Sequence, residues 1–155
     1  MEAKVTWKGG LSFDATAESG FTLPLGTSPD VGGANDGFRP LELMALSLAG
    51  CTAMDVISIM LKKREQVTDF NVEVHIERAE KHPKVFTSAV IDFHATGIGI
   101  DEDALLRSIE LSAEIYCPSQ AMLKEVMPIE IRYHIYEDQG DGERSPVKSA
   151  VYKPV

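Results

Sequence analysis

Cysteine is scarce in this chain. Among 155 residues there are 2, Cys51 and Cys117. Two thiols cannot make the cross-linked scaffold of a small secreted domain, and they exclude a zinc site built on three or four thiolates. Excess basic charge is lacking as well: 15 Lys and Arg stand against 24 Asp and Glu, a formal net charge of −9. That excludes a broad phosphate-binding face, so neither nucleic acid nor an anionic membrane is an expected partner. Arginine is missing from residues 1–38 altogether. The opening MEAKVTWKGG holds no apolar stretch of the kind a secretory signal needs. The expected location is cytoplasmic, where thiols stay reduced. A cysteine pair there is either two inert buried residues or a redox pair. His75, His82, His94 and His134 are dispersed without metal-ligand spacing, so no metal and no cofactor are expected.

What the chain does have is a 44% hydrophobic fraction, enough for one real core. Val5-Thr6-Trp7 and Leu11-Ser12-Phe13 alternate around Gly9-Gly10, a hairpin signal, and Phe21-Thr22-Leu23 suits a third strand. Residues 26–38, GTSPDVGGANDGF, read as a loop in which Gly32-Gly33 marks a turn. Pro40 then suits the first position of a helix running to about Lys63. Apolar residues cover nearly its whole circumference, so it belongs in a core or a subunit interface. Glu42 and Asp55 interrupt it, which weakens a membrane reading. A domain this small has trouble covering such a helix alone, so a homodimer is inferred. Residues 71–77 and 85–96 alternate as two antiparallel strands, the second with Val85, Thr87, Ala89, Ile91, Phe93 and Ala95 on its apolar face. Asp101 caps a helix to about Tyr116, a short helix follows Pro118, and Ile129, Ile131, Tyr133 and Ile135 mark a last strand. The order predicts an α+β domain over residues 1–136 with a polar, frayed tail over residues 137–155.

The two cysteines occupy different settings. Cys117 precedes Pro118, which places it at the N-cap of the following helix. Amide groups at a helix start lower a thiol pKa, so Cys117 reads as the more acidic of the two. Cys51 sits within the apolar helix, where desolvation disfavours the thiolate. Ser47 and Asp55 stand one turn to either side of it, and Arg39, at the mouth of the helix, is the candidate cation. No C-x-x-C motif is present, so thioredoxin-type exchange is not supported.

The segment GFRPLELMALSLAGCTAMDVISIMLKK resembles the cysteine helix of the OsmC/Ohr proteins, the osmotically induced and organic-hydroperoxide-resistance family. IYCPSQAML resembles that family's second cysteine motif, and the resemblance covers about residues 1–136. The fragments SPDVGG, PLEL and AGCTAMD look most like the YhfA-like branch. The resemblance implies antiparallel sheets wrapped around central helices in an intertwined homodimer. It also implies a thiol peroxidase acting on organic hydroperoxides in oxidative-stress defence. Cys51 would be the attacking thiol, Cys117 the resolving thiol, and a dithiol, of lipoyl type as in better-known members, the reductant.

The chain departs from the family's peroxidases in two places. They carry a glutamate directly after the helix proline, where this chain has Leu41, with Glu42 one residue later. Their activating arginine lies well before the proline, and here Arg39 is either a relocated substitute or a surface residue at the helix start. The site residues implied are therefore Cys51, Cys117, Arg39 and Glu42. The competing reading is a non-catalytic or weakly catalytic protein that binds a small apolar ligand at the dimer interface. A Cys–His hydrolase would need a histidine beside a thiol, which the strand positions of the histidines disfavour.

Overall fold

Gly9 and Gly10, with φ of 114° and 55°, turn the chain between β1 (Ala3–Gly9) and β2 (Ser12–Ala17). Both angles lie where a side chain is costly, which is why glycine stands there. β3 (Thr22–Leu25) completes a sheet in the order β1-β2-β3. Facing residues of antiparallel strands share a side of the sheet. The register Val5↔Ala15↔Leu23 and Trp7↔Phe13↔Leu25 therefore gathers the apolar residues on one side. Lys4, Thr6, Lys8, Asp14 and Thr16 take the other. The expected turn at Gly32-Gly33 follows a short 3₁₀ segment, Pro29–Val31, and Gly32 takes the left-handed conformation. This computed structural model describes residues 1–153. It divides into two compact units, Met1–Met44 and the remainder from Ala45. In the first unit Gly26 alone is buried, and Val5 and Trp7 are 59% and 66% exposed. The apolar side of this sheet is thus only partly covered, with Phe13, Ala15, Leu23 and Leu25 part-buried.

α1 (Pro40–Lys62) has the bounds its proline start and basic end predict. It is long and apolar enough to cross a bilayer by length and composition. Within the chain it packs along one stripe. Leu48, Thr52, Val56 and Met60, four residues apart, form one fully buried stripe. Met54 and Leu61, on other faces, are 68% and 58% exposed.

The second sheet has the order β4-β5-β6-β7, formed by β4 (Gln66–Arg78), β5 (Phe86–Ile98), β6 (Ile129–Gly140) and β7 (Glu143–Val151). Most of the predicted apolar faces are buried: Ala89, Ile91, Phe93 and Ala95 on β5, and Ile131, Tyr133 and Ile135 on β6; Val85, which precedes β5, and Thr87 are exposed instead. Two expectations need correction. β5 and β6 run parallel, so this sheet is mixed, although β4-β5 and β6-β7 are antiparallel. A parallel neighbour requires a long crossover. It contains α2 (Glu102–Leu111), a π-helical turn (Ser112–Tyr116) and α3 (Pro118–Leu123). The segment expected as a polar tail from residue 137 is folded: its first residues complete β6 and the rest form β7. Pro154 and Val155, the end of that tail, lie outside the described residues.

Phe93 is fully buried at the centre of this core, its ring 6.3 Å from that of Phe70. Phe93→Ala should cost about 3–5 kcal/mol, the usual range for removing a buried aromatic ring. Urea unfolding of the variant against the parent chain measures it.

Candidate functional site

Three elements of the second unit converge on the cysteines. On α1, Cys51 and Asp55 each stand one residue before a member of the buried stripe, Thr52 and Val56. They therefore flank the stripe and are part-exposed, while Thr52 is fully buried. The π-helical turn brings Ser112 inward, also fully buried, and its last bond runs from the Cys117 amide to the Ser112 carbonyl at 2.9 Å. Such turns insert one residue into a helix and recur at functional sites. Pro118 then starts α3 with Cys117 as its N-cap, as the sequence predicts.

Both cysteines are free thiols. The Cys51 and Cys117 sulfurs and a carboxylate oxygen of Asp55 all lie within 4.8 Å of one another. The two sulfurs are thus neighbours with no disulfide between them. Cys51 is part-exposed and Cys117 is buried.

The acidity expected of Cys117 is not found. Its Sγ accepts a bond from the Gln120 amide at 3.4 Å, and the Gln120 and Ser119 amides do favour the thiolate. Burial outweighs them, and the nearby Cys51 adds to it, so the Cys117 thiol is pushed up to about 11. None of the groups that set this value is a cation. Desolvation dominates because the helix starting at Cys117 has only 6 residues and the sulfur lies beneath the surface. Cys117 is a neutral thiol at physiological pH.

A buried chain of hydrogen bonds supports Asp55. Gln120 Nε2 donates to Thr52 Oγ1 at 2.8 Å. Thr52 Oγ1 and Ser112 Oγ are 3.0 Å apart, and Ser112 Oγ donates to Asp55 Oδ2 at 3.1 Å. A hydroxyl has one hydrogen. With the Ser112 hydrogen on Asp55, Thr52 must donate to Ser112, and all the bonds run one way toward the carboxylate. Sequence reasoning singled out Asp55 by its spacing from Cys51 but missed Thr52, Ser112 and Gln120. Their separations of 60 and 68 residues leave no local signal.

Arg39 and Glu42, both in the first unit, are paired with each other. Glu42 Oε2 accepts the Arg39 amide at 2.9 Å, and Oε1 accepts Arg39 Nη1 at 3.1 Å. Arg39 Nη2 also donates to Asn35 Oδ1 at 3.1 Å. The amide bond is one half of a capping box, with glutamate three residues after the cap. These bonds from Arg39 hold the Glu42 carboxyl below its usual range.

The histidines are less scattered in space than in sequence. On the second sheet His94 and His134 stack at 4.5 Å, and His134 Nε2 lies 3.2 Å from Asp92 Oδ1. Burial and the neighbouring His134 lower the His94 pKa. None of the four belongs to the cluster of Cys51, Asp55 and Cys117. These three donors are the ones among the described residues whose spacing could hold a metal ion.

The family model for OsmC-like proteins matches residues 33–132. Protein YhfA of Escherichia coli (strain K12) is 35% identical over 135 residues, spanning 87% of this chain and 98% of that protein. A hypothetical protein from Aquifex aeolicus VF5 superposes with a TM-score of 0.78 at 28% identity, covering 89% of this chain and 97% of the other. An organic hydroperoxide resistance protein OsmC from Legionella pneumophila superposes with a TM-score of 0.61 at 17% identity, covering 86% and 94%, a likeness of fold.

Proposed function

The chain belongs to the OsmC-like family, and from that premise we propose that it is a thiol peroxidase that reduces organic hydroperoxides. The observation that carries this reading is the close approach of two free sulfurs, Cys51 and Cys117, in a folded core. Cys51 is the attacking thiol because it is part-exposed, whereas Cys117 is buried and neutral.

In the first step an S–O bond forms at Cys51 and the O–O bond of the hydroperoxide breaks. Sulfur loses two electrons, and the alcohol leaves with the thiol proton. The resulting sulfenic acid condenses with Cys117: an S–S bond forms, the S–OH bond breaks, and water leaves. A dithiol, of lipoyl type in this reading, then returns two electrons by exchange and is itself oxidised to a disulfide.

The working unit in this reading is a homodimer. Support comes from the exposed Val5 and Trp7 on the apolar side of the first sheet and from the exposed Met54 and Leu61 on α1. Arg39 and Glu42 serve the helix start through their capping bond. No further part in the cycle is assigned to them.

The resolving role is tested by Cys117→Ser. Treated with one equivalent of tert-butyl hydroperoxide, this variant should hold a sulfenic acid at Cys51, trapped by dimedone. The parent chain should carry little adduct because Cys117 removes the intermediate. A variant that gives no more adduct than the parent contradicts the assignment. The competing reading, a carrier of a small apolar ligand, predicts thiols inert to peroxide and a ligand that survives purification.

A further inference from the structure

Each oxidative step proposed above moves one proton from a thiol to a departing oxygen, and the cluster contains one group able to carry it. We propose that Asp55 is the proton carrier of both steps, taking the thiol proton first from Cys51 and then from Cys117. This inference rests on the peroxidase reading and deepens it. In the first step the carboxylate takes the Cys51 proton as the S–O bond forms and gives it to the alkoxide released from the broken O–O bond. In the second it takes the Cys117 proton as the S–S bond forms and gives it to the hydroxide leaving Cys51. The products are the alcohol and water, and Asp55 ends each step as it began.

Geometry carries the assignment. One carboxylate oxygen of Asp55 lies within 4.8 Å of both sulfurs, so a single group serves the two thiols in turn. The other polar side chains of the cluster are poor bases. The Gln120 side chain is an amide, which does not take up a proton at neutral pH, and one of its two Nε2 hydrogens is committed to Thr52. The Thr52 and Ser112 hydroxyls each already accept one bond and donate another. Because all three bonds run toward Asp55, they deliver hydrogens to it. The bond from Ser112 occupies Oδ2 and fixes the carboxylate's direction, and lone pairs remain for the thiols. Thr52 and Ser112 have no exposed surface, so water does not compete for the bond between them. Ser112, Thr52 and Gln120 are thus positioning residues.

A carrier is needed most at the second step. Cys117 is a buried, neutral thiol with no cation among the groups that influence it. A neutral thiol is a weak nucleophile, and general-base assistance of the kind given to serine or cysteine nucleophiles overcomes that weakness. A correctly placed base contributes about 10²–10⁴ in rate.

The test is a single turnover of pre-reduced protein with tert-butyl hydroperoxide. Peroxide loss, dimedone-trapped sulfenic acid at Cys51 and disulfide closure are followed separately. Asp55→Asn should slow closure by about a hundredfold and slow peroxide loss as well. Asp55→Glu, which keeps a carboxylate, should recover closure to within about tenfold of the parent, a rescue that a purely structural role does not require. Ser112→Ala keeps the carboxylate but removes the bond that aims it, and should slow closure by about three- to tenfold, roughly the size of one lost hydrogen bond. Closure at the parent rate in folded Asp55→Asn overturns the proposal. If that variant does not fold, parent-rate closure in Ser112→Ala overturns it. A parent protein that forms neither sulfenic acid nor disulfide overturns the peroxidase reading itself, and this assignment with it. Slow closure in Asp55→Asn beside normal closure in the parent separates the two.

Discussion

Replacing Cys51 with serine should remove hydroperoxide turnover, lowering the rate with a dithiol reductant by at least about a thousandfold. The substitution changes one atom. Sulfur attacks a peroxide oxygen readily because it is polarizable and gives up two electrons, and a serine hydroxyl does neither. Cys51 is part-exposed on α1, so the exchange leaves the buried stripe of Leu48, Thr52, Val56 and Met60 intact. The loss should therefore appear without a matching loss of stability, which thermal unfolding checks. Cys117→Ser should behave differently, because it keeps the first step and fails at closure. Equal activity in the parent chain and Cys51→Ser would remove the attacking role from Cys51.

The second large effect concerns assembly. Met54→Glu should convert the proposed dimer to monomer at micromolar concentration, with the dissociation constant raised by about 100–4,000-fold. The position lies two residues from Thr52, about 200° around an ideal helix and so on the opposite side from the buried stripe. Met54 is 68% exposed in the single chain, and a charge there costs the monomer little. In a dimer that covers this side of α1, the same carboxylate loses its water without gaining a partner. An unpaired buried charge of that kind costs about 3–5 kcal/mol, and each 1.4 kcal/mol is about tenfold in affinity. Sedimentation velocity measures the outcome. An unchanged dimer in Met54→Glu would show that α1 is not at the interface.

Local signals made much of the fold legible. Pro40 and the basic run at Lys62-Lys63 bound α1 within a residue, and period-two alternation assigned the buried faces of β5 and β6. What escaped depends on distant neighbours. Nothing in residues 129–136 says that β6 runs parallel to β5, because strand direction is set by the crossover between them. β7 reads ERSPVKSAV, an edge strand with few apolar residues, so composition alone made it look like a tail. At the site, both cysteine positions and the helix start at Cys117 were legible, but the acidity of Cys117 was not. A capping position can be read from Cys-Pro, whereas the depth of the sulfur depends on packing against other elements.

The hydrogen-bond chain to Asp55 shows why a cluster can be chemically coherent and still invisible in sequence. Thr52, Ser112 and Gln120 come from α1, the π-helical turn and α3. Each is an ordinary polar residue alone. Only their convergence orders the hydrogens toward one carboxylate beside two thiols.

Free thiols counted against hydroperoxide consumed test the central claim most directly. Reduced protein is mixed with increasing tert-butyl hydroperoxide, and its peptides are mapped by mass. Two thiols should be lost for each peroxide reduced, with Cys51 and Cys117 joined within one chain. Thiols that remain free while the peroxide persists would contradict it.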